Sequence, residues 1–193
     1  MHDLEILRQV GKLHAKNLDQ SFLSTLGASF LFLMYRAIDE CESAVLLVET
    51  RELGVVGFVS GAENMLVIYR QMLRHWPQLI RSLLPSLLNP IRVWRIFEIL
   101  LHSRNEASPS GLPSFELLSI AVDLKYRGKG VSERLYEGLI NHCRASKKPA
   151  FKIIVGEALL PAHRFYRRMG ARVVGEVCVH GDQCSLVYAQ PVN

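Results

Sequence analysis

Arginine, glycine, tyrosine and glutamate stand in this chain at spacings that can do chemistry. Arg127, Gly128, Lys129, Gly130, Val131 and Ser132 follow the apolar run Phe115 to Val122 and lead into helical periodicity from Val131 to Cys143. A strand, a turn with two glycines and a helix, in that order, form an anion cradle. Glycine allows unusual dihedrals and close backbone approach. The first N–H groups of a helix lack partners within it, and its dipole adds roughly half a positive charge there. A phosphate or pyrophosphate is the guest such a turn accepts. A plain strand-to-helix turn punctuated by glycine would read the same way. The dinucleotide fingerprint GxGxxG fails, because Glu133 stands at its last glycine, and GxxxxGK followed by Ser or Thr is absent.

Arg127-x-x-Gly130-x-Ser132 resembles the Q/R-x-x-G-x-G/A motif of the GNAT acetyltransferases, which binds the pyrophosphate of coenzyme A. Val122 to Val131 is similar to the family's V-x-P-x-Y-R-G-K-G-I/V, with Leu124 in place of the proline and Ser132 in place of the last small residue. Downstream, Ala162-x-x-Phe165-Tyr166-x-x-x-Gly170-Ala171 resembles A-x-x-F-Y-x-x-x-G-F. Leu159 stands where the family often has Asn, and Ala171 where it usually has Phe. The resemblance covers Phe115 to about Tyr188; the earlier part matches in outline only, two helices and then a hairpin. It implies a GNAT-type mixed, mostly antiparallel sheet flanked by helices, with acetyl-CoA as co-substrate.

Acetyl transfer to an amine needs a neutral amine, a polarised thioester carbonyl and a protonated leaving thiolate. Tyr166 is the candidate general acid, since a phenol can donate to a departing thiolate and the family's tyrosine at this position does so; a core aromatic would look the same. Glu116 is the candidate base. Its run is similar to the E-x-x-x-x-A-V/I strand of some family branches, and simple alternation puts Glu116, Leu118 and Ile120 on one face. The resemblance further implies that Ile120, Ala121 and Val122 hold the pantetheine arm through backbone groups, with the Val122 N–H helping to polarise the thioester. It implies that Gly128, Gly130, Val131 and Ser132 cradle the pyrophosphate, that Arg127 and Lys129 pair with phosphates, and that Ala162 and Phe165 contact the cofactor. His14 is a weaker candidate for the acceptor site. His163 and His180 are expected at the surface or in the core. Cys143 is not expected to be a nucleophile, because its neighbour His142 faces another way on a helix.

These residues need elements to place them. Leu4 to Leu13 and Ser29 to Ile38 have helical spacing; Ala44 to Glu49 and Val55 to Ser60 read as a hairpin around Glu52, Leu53 and Gly54. Phe151 to Val155 is a strand, Pro161 to Met169 a short helix ended by Gly170, and Val173 to Val179 with Cys184 to Ala189 a closing hairpin around Gly181 and Asp182. The order gives an α/β (α+β) sheet with helices packed on it. A helical insert at about 64–105, before the central strand, is rich in Arg and Leu and divided by Pro77, Pro85 and Pro90. It can pack on the sheet, lie on a membrane surface, cover a substrate or form a dimer face.

The chain has 193 residues, 49% of them hydrophobic, which suits one globular domain, 1–193. Its net charge of +5 suits an anionic partner. No basic run with interleaved aromatics points to nucleic acid. Cys41, Cys143, Cys178 and Cys184 form no CxxC pair, so no metal site is expected and all four are read as reduced thiols. The start lacks a signal-peptide pattern, and a cytoplasmic location is expected. The resulting expectation is an acyl-CoA-dependent N-acetyltransferase acting on a small-molecule amine such as an amino sugar, as monomer or homodimer. The alternatives are a protein amine acetyltransferase, or a non-catalytic acyl-CoA-binding or membrane-peripheral protein.

Overall fold

The computed structural model describes residues 1–18, 22–87, 112–178 and 184–192. Two helices open the chain, α1 (Leu4–Asn17) and α2 (Ala28–Asp39), with a 3-10 turn at Phe22–Leu26 between them. The Asp3 carboxylate accepts from the Glu5 N–H and so caps α1, whose Leu7, Val10 and Leu13 are buried along one face. β1 (Ala44–Arg51) and β2 (Gly54–Ala62) make the expected hairpin. α3 (Met65–Leu73) and α4 (Trp76–Leu87) follow. Pro77 sits in the first turn of α4, where a missing N–H is harmless. Pro85 does not divide the segment as expected: α4 continues past it to Leu87. The second half of the expected insert, Ile91 to His102, lies outside the described residues.

β3 (Glu116–Val122), a 3-10 turn (Leu124–Tyr126), α5 (Val131–Ala145), β4 (Ala150–Gly156), α6 (Leu160–Arg168), β5 (Arg172–Cys178) and β6 (Cys184–Pro191) complete the order. The strands form one sheet, β1-β2-β3-β4-β6-β5. Neighbours are antiparallel except β3 and β4, which α5 joins by the crossover a parallel pair needs. This is the mixed, mostly antiparallel sheet the sequence suggests. The tip of the last hairpin, with Gly181 and Asp182, lies outside the described residues.

Each face of the sheet has its own core. One gathers Val59, Leu117, Ile153 and Tyr188 with Leu135, Tyr136 and Tyr166 of α5 and α6. The other gathers Leu46, Phe58 and Ala121 with Leu7, Leu31 and Tyr35 of α1 and α2. Full burial of one large apolar side chain contributes roughly 1.5–3 kcal/mol. α5 lies very close to β2: a Cβ on Gly57 would meet Val131 Cγ1 at 2.9 Å and Leu135 Cδ1 at 3.0 Å. A larger residue at Gly57 would lift the first turn of α5 off the sheet. At the far end of α6, the Ala171 N–H reaches the Tyr166 carbonyl at 3.0 Å and the Gly170 N–H the Arg167 carbonyl at 3.1 Å. These crossed bonds stop the helix where expected.

Cys41 and Cys143 are free thiols, but Cys184 is disulfide-bonded. The expectation of four reduced thiols is corrected. The hairpin register sets Cys184 opposite Cys178, a proximity that the spacing of the cysteines does not reveal.

Candidate active site

β3 and β4 pair only where they begin. Glu116 pairs with Lys152 and Leu117 with Ile153, after which the strands part. Both continue, to Val122 and to Gly156, while β3 stays paired with β2 as far as Val122. Beyond Leu117, the backbone edge of β3 that faces β4 therefore has no ladder partner among the described residues. The gap opens toward the end of β3, where the glycine turn and α5 begin.

A bulge accompanies the parting. Ser60 pairs with Ser119 and Gly61 with Leu117, so Leu118 is an extra residue in β3. A bulge bends its strand and raises its twist. It also resets the faces. Leu117 packs with the α5 core and Leu118 with the α1 core, but Ile120 returns to the first and Ala121 to the second. The expected grouping of Glu116, Leu118 and Ile120 on one face is thus corrected, because alternation breaks at Leu118.

At the wide end the turn is held from several sides. The Asp123 carboxylate accepts from the Lys125 N–H at 3.0 Å and from Lys16 Nζ at 3.2 Å. The first of these bonds, then the second, holds its pKa below the usual carboxylate value. Gly128 and Gly130 have φ of +71° and +74°. An L-residue in that region is strained by roughly 1–2 kcal/mol. Gly130 caps α5, so the N–H groups of Val131, Ser132 and Glu133 open its first turn. Arg134 braces the turn, donating to the Lys129 carbonyl at 3.2 Å and to Glu49 of β1 at 2.6 Å and 3.3 Å. The Glu133 carboxylate accepts from its own N–H, from the Ser132 hydroxyl at 2.9 Å and from Arg168 at 2.6 Å. These bonds, its own N–H foremost, hold its pKa below the ordinary value. A phosphate takes these donors only by displacing that carboxylate.

The two loop cations are placed differently from each other. Arg127 donates to the Val122 carbonyl at 3.2 Å and to Asn17 at 3.1 Å, which ties the end of β3 to α1. Lys129 is exposed, with Nζ 5.1 Å from the centre of the Tyr126 ring.

Tyr166 is buried between α5 and the sheet, in ring contact with Tyr136, Phe165 and Tyr188. Burial pushes its phenol well above the ordinary value, so it is protonated at neutral pH. Ala162 and Phe165 pack against the same core. Glu116 stands where β3 and β4 are still paired, on the face opposite Leu117, with Oε2 3.5 Å from Nζ of Lys152. Lys152 is 8% exposed. Sequence reasoning missed it, although a lysine inside the apolar run Phe151 to Val155 was the available signal.

His14 is buried behind β2, with Nδ1 2.5 Å from the Tyr35 hydroxyl, and burial brings its pKa down to about 4. It lines no open site, contrary to expectation. His163 is a core residue, accepting from the Tyr188 hydroxyl at 2.8 Å and donating to the Gly156 carbonyl at 3.1 Å. His180 lies outside the described residues. Burial pushes the Cys143 thiol up to about 11, which leaves it a poor nucleophile. Among the described residues no cluster of His, Cys, Asp or Glu could hold a metal ion, and no helix is long and apolar enough to cross a membrane.

Residues 93–171 match the model of the acetyltransferase (GNAT) family, a span that includes β3, the glycine turn, α5, β4 and α6. Solved structures share the fold. A GNAT-family acetyltransferase from Desulfovibrio desulfuricans superposes with a TM-score of 0.61 at 12% identity, covering 99% of this chain and 93% of its own. An aminoglycoside 6'-N-acetyltransferase complexed with coenzyme A gives 0.59 at 10% identity, covering 98% and 91%. A protein from Bacillus anthracis, described as a streptothricin acetyltransferase and solved with acetyl coenzyme A, gives 0.52 at 14%, covering 81% and 67%. At such identities the likeness speaks for the fold. No curated protein matches the chain in sequence. The family model thus matches a segment of this chain, and the fold around that segment is the one these solved structures share.

Proposed function

We propose that the chain transfers an acyl group, most simply acetyl, from coenzyme A to a primary amine of a small molecule such as an amino sugar. The observation that carries this reading is the parting of β3 from β4 beyond Leu117 and Ile153, with the N-terminus of α5 at the wide end. A free strand edge offers amide groups to an amide-bearing arm, and a helix N-terminus offers N–H groups to a diphosphate. We take 1–193 as one domain, with the insert at about 64–105 as part of it.

Acetyl-CoA supplies an activated carbonyl as its thioester. The backbone of Ile120, Ala121 and Val122 orients the pantetheine arm. The N–H groups from Gly128 to Ser132 hold the pyrophosphate, with Lys129 as the cation in reach, while Arg127 fixes the end of β3. Ala162 and Phe165 back the arm from α6. Glu116 takes the proton of the attacking amine. Tyr166, kept protonated by burial, gives its proton to the departing sulfur. The attack is direct, within a ternary complex.

Calorimetry with acetyl-CoA, coenzyme A and NAD, on the wild type and on Gly130→Asp, tests the cradle. The aspartate would be strained at φ +74° and would bring a negative charge to the helix N-terminus. Binding of the first two ligands, lost in the variant, supports the reading; no binding of either overturns it. Binding without thiol release across a panel of small amines would favour the non-catalytic acyl-CoA-binding alternative. Release only with peptide amines would favour a protein acceptor.

A further inference from the structure

α3 and α4 set an apolar stripe beside a cationic one on the protein surface. The break between them is slight. The N–H groups of Arg74 and His75 reach the carbonyls of Gln71 and Met72 at 3.1 Å and 3.0 Å, and the Leu79 N–H reaches the His75 carbonyl at 3.0 Å. The two helices therefore run on as one kinked rod. Its inner side, Ile68, Met72, Leu79 and Leu83, joins the core of α1 and α2. Gln71 donates to Glu40, just past the end of α2, at 3.2 Å and pins the junction.

The outer side is different. Leu73, Trp76, Ile80 and Leu84 are 59%, 61%, 51% and 53% exposed. Their spacing of three, four and four residues makes one continuous stripe on a helical rod. Arg70, Arg74 and Arg81, all exposed, recur at four and seven residues immediately beside it. No Asp or Glu occurs from Met65 to Leu87. Single exposed apolar residues need no explanation, but a contiguous stripe of large ones does. The arginines select its occupant. A two-fold pairing of copies presents the same patch from both sides, and this patch holds no Asp or Glu to meet the partner's arginines. An anionic surface meets both stripes, and tryptophan favours the membrane–water boundary.

We propose that this face docks on an anionic lipid bilayer. Leu73, Trp76, Ile80 and Leu84 enter the boundary between headgroups and acyl chains, and Arg70, Arg74 and Arg81 meet the anionic headgroups. The inference is independent of acyl transfer and would stand if that reading failed.

Co-sedimentation of the full chain with vesicles tests it. Phosphatidylcholine vesicles containing phosphatidylserine should carry the protein down, and pure phosphatidylcholine vesicles should carry much less. Added salt should release it. Arg74→Gln and Arg81→Gln should each weaken binding about fivefold, and Ile80→Glu with Leu84→Glu should abolish it. Because these side chains are exposed, the thermal midpoint of each variant should stay within a few degrees of the wild type, which separates lost docking from lost folding. The salt and lipid dependence of the wild type needs no variant at all. Absence of binding, or equal binding to both vesicles, overturns the proposal. So does a lipid-free dimer that Ile80→Glu dissociates, which would make the face an interface between copies.

Discussion

Glu116 Oε2 and Lys152 Nζ lie 3.5 Å apart across a rung where β3 and β4 are still paired, just before the strands separate. The carboxylate thus stands at the closed end of the gap, beside a buried cation. If it takes the proton of the attacking amine, Glu116→Gln should leave the acetyl-CoA Kd within about twofold and lower kcat by roughly 10²–10⁴. Steady-state kinetics beside calorimetry checks this. Unchanged turnover would reduce Glu116 to the ionic partner of Lys152.

Tyr166 gives a second, separable prediction. Phenylalanine keeps the ring contacts with Tyr136, Phe165 and Tyr188 and removes only the hydroxyl. Tyr166→Phe should therefore melt close to the wild type and bind acetyl-CoA as well, yet turn over roughly 10²–10⁴ times more slowly. The deficit should shrink with a thioester whose thiol is more acidic, since such a leaving group needs less help. An equal deficit with both donors would remove Tyr166 from proton transfer.

His14 makes stability depend on pH. Its folded pKa is about 4, below the ordinary 6.5 of a histidine, because burial disfavours the imidazolium. Below about pH 6.5 the unfolded chain takes up a proton that the folded one refuses, so stability falls as pH drops and the loss is complete near pH 4. The contribution is at most about 3 kcal/mol. Urea midpoints at about pH 7 and pH 4.5 should differ in the wild type, and the difference should narrow in His14→Asn. Equal differences in both proteins would assign the acid loss to other groups.

The local features of this chain were legible because they rest on short-range physics. Helical spacing marks α1, and Gly128 and Gly130 ahead of a periodic run mark a cradle at the start of α5. Tyr166 could be placed on a short helix, with Gly170 just past its end, for the same reason. Tertiary structure decided what depends on register and distance. Leu118 is a bulge only because β2 pairs around it, and that one extra residue moves Ile120 to the face opposite the one alternation assigns. Lys152 meets Glu116 because two strands 36 positions apart in sequence pair there and then separate. Arg127 turns to Asn17 across 110 residues. A strand's sequence carries its own period, but its partner, its register and the point where pairing ends are set by the whole sheet closing on two cores at once.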